Sequence, residues 1–124
     1  MTTAEVSQST GATLRQLQWW DEQNVIRPTL IPDTRFPERG VRDYGVHDLL
    51  QVKLAVGLKQ RGISFQQIRQ ILANPAIDSI RNGIVVVVGS TSLVVQLVPY
   101  PITWEMQMQV LLLGYDEAIV LVAL

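Results

Sequence analysis

The chain has 124 residues, no cysteine, one histidine and a formal net charge of −1. That length gives one domain, or a small domain with an appendage, able to bury a core without covalent staples; the missing cysteines exclude disulfides and thiolate metal sites, and the lone His47 excludes a histidine zinc pair. All ten Lys and Arg lie at or before Arg81 together with eight acids, making that stretch +2, while Glu105, Asp116 and Glu117 make the remainder −3, so two parts with different tasks are expected.

Met1–Thr10 is polar, without a basic start or an apolar run, so no signal peptide is expected and a cytoplasmic location fits. Thr2 and Glu5 have capping-box spacing and open a short helix to about Thr10, which Gly11 ends. Thr13 and Gln16 repeat the pattern and open a second helix, closed by Asn24 and barred from continuing by Pro28. Helix, glycine turn, helix is a helix-turn-helix arrangement. In the second helix Leu14, Leu17 and Trp20 recur every three residues and are expected to be buried together. Arg15, Gln18, Trp19 and Glu22 fall on the other face. A cation, an amide and an amphipathic ring there suit base edges and phosphates. Periodicity alone leaves a solvated helix with a partly covered tryptophan equally open.

Thr29–Gly40 holds two prolines and a glycine and reads as a loop or loose hairpin. Arg35 and Arg39 in it, and Arg42 after it, can reach phosphates, although Asp33, Glu38 and Asp43 between them also describe a charge-balanced surface. A third helix runs from about Val46 to Arg61 and is stopped by Gly62. Its core stripe is Leu49, Val52, Ala55 and Leu58. Leu50, Leu54 and Val56 make it greasier than one buried face requires, which predicts a second buried contact. Ser64 and Gln67 cap a fourth helix, Phe65–Ala73, ended by Asn74 and Pro75.

After Pro75 the pattern changes. Ile84–Val88 and Leu93–Val98 are β-branched runs around a Gly-Ser-Thr-Ser tip and read as a hairpin. Trp104–Leu113 and Ala118–Leu124 complete a meander of up to four strands. The uncharged stretch Asn82–Trp104 has bilayer-spanning length, but Asn, Gly, Ser, Gln and Pro interrupt it, and no membrane span is expected. The fold class expected is α+β: a four-helix winged helix-turn-helix domain over residues 1–74, then a small antiparallel β-rich segment over residues 75–124. The apolar C-terminal strands are expected to pair with a second copy; covering the extra face of the third helix within one chain is the alternative. No acid–base–nucleophile set, phosphate-cradling loop or nucleophile elbow is present, so neither catalysis nor a cofactor is expected.

Four segments, EVSQSTG (Glu5–Gly11), ATLRQLQWWDEQNVIRP (Ala12–Pro28), VRDYGVHDLLQV (Val41–Val52) and LKQRGISFQQIRQIL (Leu58–Leu72), occur in this order. Together they resemble the N-terminal DNA-binding domain of the MerR family of transcriptional regulators. The resemblance implies a winged helix-turn-helix dimer on a palindromic double-stranded promoter site. The second helix would enter the major groove, the wing Thr29–Gly40 would grip the backbone, and RNA polymerase would use the site. By position it implies DNA contacts from Arg15, Gln18, Trp19, Arg42 and Tyr44, with Arg35 and Arg39 in the wing. Gln18 stands where the family usually has arginine, Val41 replaces an aromatic, the wing is longer than usual, and no coiled-coil heptad follows Pro75. Two other readings keep the fold: a protein-interaction module that does not use DNA, and an architectural or excision-type DNA-binding factor. Neither the operator nor an effector can be read from these residues.

Overall fold

The computed structural model describes residues 1–28, 43–89, 95–99 and 119–124. They form α1 (Thr3–Thr10), α2 (Leu14–Glu22), α3 (Val46–Gln60), α4 (Phe65–Leu72), a 3-10 turn (Pro75–Ser79), and strands β1 (Ile84–Gly89), β2 (Val95–Pro99) and β3 (Ile119–Ala123). The expected wing, the hairpin tip after Gly89 and the strand expected over Trp104–Leu113 lie outside the described residues. The described chain falls into two compact units, Met1–Val56 and Gly57–Leu124. The division lies inside α3.

In the first unit the helix ends are set by local side chains. Thr2 caps α1 in a complete capping box: Glu5 N–H donates to Thr2 Oγ1 and Thr2 N–H donates to Glu5 Oε1, each at 3.2 Å. Thr13 and Gln16 do the same for α2, both at 3.0 Å. Gly11, at φ +82°, turns the chain out of α1, and its N–H donates to Ser7 O. Ser7 Oγ donates to Ala12 O at 2.6 Å and Thr10 Oγ1 to Val6 O at 2.7 Å, which braces the turn between the helices. The far end of α2 is a Schellman motif. Asn24 takes φ +57°, Val25 N–H reaches Trp20 O and Asn24 N–H reaches Asp21 O.

Leu17 and Trp20 are buried at 1% and 3% exposure, as expected, but Leu14 is 56% exposed. The period placed Leu14 on the buried face; its position did not. It is the first residue of α2, and helical side chains lean toward the N-terminus, so it projects off the end of the packed surface. Val46, which opens α3, is exposed at 69% for the same reason.

The glycine cap of α3 lacks a side chain, and Asp48 supplies the reciprocal half of the box. Its Oδ2 accepts from Gly45 N–H at 2.8 Å, and the residue is buried at 2%. A carboxylate in the first turn also faces the positive end of the helix dipole. Within the first unit α3 buries Val52 and Ala55 but also Leu50 and Leu54, while Leu49 is only half-buried. The expected stripe is therefore part of a wider buried surface. The helix stops at a second Schellman motif, with Gly62 at φ +81°, Ile63 N–H on Leu58 O and Gly62 N–H on Lys59 O.

Glu5 illustrates the electrostatics of a cap. Its carboxyl is held below its ordinary value of 4.5, chiefly by the Thr2 backbone N–H and then by the Thr2 hydroxyl. A carboxylate lowered on folding stabilises fully above its ordinary value, and the gain is lost as pH falls through the lowered one. Wild type should therefore outlast Glu5→Gln in urea at neutral pH, and the gap should narrow as pH falls below the ordinary carboxyl value.

In the second unit Ser64 and Gln67 complete a capping box for α4, which buries Ile68 and Ile71 with Phe65 and Leu72 half-buried. Strand β1 is the centre of a three-stranded antiparallel sheet of order β2-β1-β3, with Val86 opposite Leu97 on one side and Val122 on the other. The last strand pairs with the side of β1 opposite β2, while the strand that the expected meander sets beyond β2, Trp104–Leu113, lies outside the described residues. Every residue of β1 is buried, as a continuous apolar run demands when both faces are covered.

In this unit α3 meets the sheet at Gly57. A Cβ placed on Gly57 would lie 2.7 Å from Val122 Cγ1 and 3.4 Å from Cγ2, and Val122 is itself 4% exposed. The glycine lets β3 approach the α3 backbone at Gly57. Gly57→Leu should lower unfolding stability by about 1–3 kcal/mol through overpacking. Gly57→Ala should lower it less, because alanine regains roughly 1 kcal/mol of helix propensity. Urea denaturation of the three proteins checks this.

Candidate nucleic-acid interface

Helix α2 turns one side inward and one outward. With Leu17 and Trp20 buried, Arg15, Gln18, Trp19 and Glu22 must face solvent by helical geometry. All four are exposed, Trp19 at 41%, and together they line one shallow open depression. The structure thus brings together the four residues that the spacing placed on one face. Among the described residues nothing engages the Arg15 guanidinium by hydrogen bond or ion pair. Gln18 is engaged: its Nε2 donates to Glu22 Oε1 at 3.1 Å, a bond between side chains one turn apart that the sequence reading did not foresee.

Chemically the face offers five guanidinium donors, an amide with donor and acceptor, an indole ring and one carboxylate. Phosphates and base edges are matched by the first three; the carboxylate repels phosphate and weakens a general electrostatic attraction. Arg27, not singled out from sequence, follows the end of α2 with its Nε 3.2 Å from Asp21 Oδ1. It is exposed, and a pair of this kind contributes little to stability.

Tyr44 does not present itself as a surface ligand. It is buried at 1%, with its N–H donating to Met1 O at 2.7 Å and its carbonyl accepting from Met1 N at 2.8 Å. Met1 N also lies 3.0 Å from Asp43 Oδ1. These bonds hold the segment entering α3 against the start of α1, and the Tyr44 ring, which the family resemblance implies as a DNA contact, is buried. The expected contacts Arg35, Arg39 and Arg42 fall outside the described residues.

Among the described residues no cluster of His, Asp and Glu could hold a metal ion, and no helix is long and apolar enough to cross a membrane. His47 makes a local contact with Gln51, Nδ1 to Nε2 at 3.2 Å. No curated protein matches the sequence. A family model does: that described as the MerR HTH family regulatory protein matches residues 1–75 of the 124.

Proposed function

The chain belongs to the MerR HTH family of regulatory proteins, and from that premise we propose that it is a sequence-specific, DNA-binding transcription regulator that acts as a dimer on a palindromic promoter site. The observation that carries this reading is the exposed row Arg15, Gln18 and Trp19 on α2, backed by buried Leu17 and Trp20. In this reading α2 enters the major groove. Arg15 and Gln18 meet base edges and Trp19 donates its indole N–H to phosphate. Arg35, Arg39 and Arg42 hold the flanking backbone, and Tyr44 sets the angle of the segment that follows Arg42. RNA polymerase is the partner that uses the occupied promoter, and no catalytic step or cofactor is required. A cytoplasmic location agrees with this role.

The dimer contact is assigned to residues 75–124. Strand β1 has no face to offer, since it is covered within one chain, so the flanking strands β2 and β3 are the elements proposed for it. The second reading, a winged-helix protein-interaction module, is favoured by the carboxylate of Glu22 on the presenting face. Selection from a random duplex library separates the two. An enriched palindrome is the expected result and carries the dimer with it. Salt-sensitive retention without enrichment would move the reading to an architectural factor, and no retention would move it to the interaction module.

A further inference from the structure

Gln18 and Glu22 are both exposed and joined by the 3.1 Å bond from Gln18 Nε2 to Glu22 Oε1. A carboxylate only accepts, so the amide must turn its nitrogen toward Glu22, and its sense is fixed. One N–H is then in use. Bonding Glu22 through the N–H that points away from Oε1 leaves the other N–H beside Oε1, a donor next to an acceptor. In the major groove adenine presents the matching couple, an N7 acceptor and an N6–H2 donor, whereas guanine presents two acceptors. A guanine would set its O6 against Gln18 Oε1. An amide without Glu22 could rotate and lose this discrimination.

Resting on the DNA-binding reading above, we infer that Gln18 reads an adenine in the binding site and that Glu22 is its positioning residue. This accounts for a carboxylate kept on a face that must approach phosphates: it weakens attraction to every duplex and sharpens the choice of base. A pair that merely stabilised the helix would leave base preference untouched.

The test begins with the site selected by wild type from a random library. Affinities are then measured for that duplex, for one with the read A·T pair changed to G·C, and for one carrying 7-deazaadenine, which lacks the N7 acceptor. Wild type should prefer adenine by about tenfold or more, and should lose a similar factor with 7-deazaadenine. Gln18→Ala should bind all three alike. Glu22→Gln should bind every duplex more tightly, through removal of a negative charge, yet show a smaller ratio of adenine to guanine. Both positions are exposed, and unchanged far-UV circular dichroism verifies that the variants fold. Base preferences in Gln18→Ala identical to wild type, or a full adenine ratio in Glu22→Gln, would overturn the inference while leaving DNA binding intact. Failure of wild type to bind any duplex would instead remove the reading on which it rests.

Discussion

Trp20→Ala is expected to destabilise the protein by about 3–5 kcal/mol, while Trp19→Ala, one residue away, should shift stability by no more than about 1 kcal/mol. The two rings are adjacent in sequence and opposite in environment: Trp20 is 3% exposed and Trp19 41%. Removing Trp20 leaves a cavity and forfeits the burial of a large aromatic body. That loss is comparable with the whole stability of a small domain, so Trp20→Ala should be largely unfolded at room temperature or melt far earlier. Urea denaturation followed by far-UV circular dichroism at the helical minimum, where the helices dominate the signal, distinguishes the variants by their midpoints. Equal midpoints would show that α2 does not sit with Leu17 and Trp20 inward, and the assignment of its outer face would fall with it.

Arg15→Ala is expected to weaken binding to the selected site by about 1–3 kcal/mol and to relax sequence preference at one position, with no change in the unfolding midpoint. The side chain is exposed and makes no hydrogen bond or ion pair among the described residues, so its loss removes none there. A base-reading arginine and a phosphate-gripping one differ in what they leave behind. If Arg15 reads a base, its variant loses selectivity; if it only touches phosphate, all sequences weaken together and the salt slope falls by about one. Binding by Arg15→Ala equal to that of wild type would remove α2 from the interface.

What could be read in advance was whatever depends on neighbours in sequence. Three capping boxes, Thr2 with Glu5, Thr13 with Gln16 and Ser64 with Gln67, are present in full, because a side chain reaching three residues along its own backbone needs no tertiary help. Asn24 and Gly62 close their helices in the left-handed region for the same local reason. The outer face of α2 was legible because four residues at i, i+3, i+4 and i+7 must lie together on any helix. What could not be read depends on distant partners or on position within an element. Gly57 looks like an ordinary weak point of a helix until Val122 is placed against it. Leu14 has the period of a core residue and the location of a helix end. Nothing local foretells that Tyr44 is buried beside the start of the chain. The order β2-β1-β3 follows from where the last strand returns, which no local pattern encodes.

The central claim is that α2 meets the phosphate-rich groove of duplex DNA, and the most direct measurement is the salt dependence of binding. A fluorescent duplex carrying the selected site would be titrated by anisotropy from low to moderate salt. The account predicts that the logarithm of the binding constant falls linearly with the logarithm of salt concentration, losing about 0.9 per phosphate contact, and that Arg15→Ala binds more weakly throughout. Binding that ignores salt, or no binding at low salt where phosphate contacts are strongest, would contradict it.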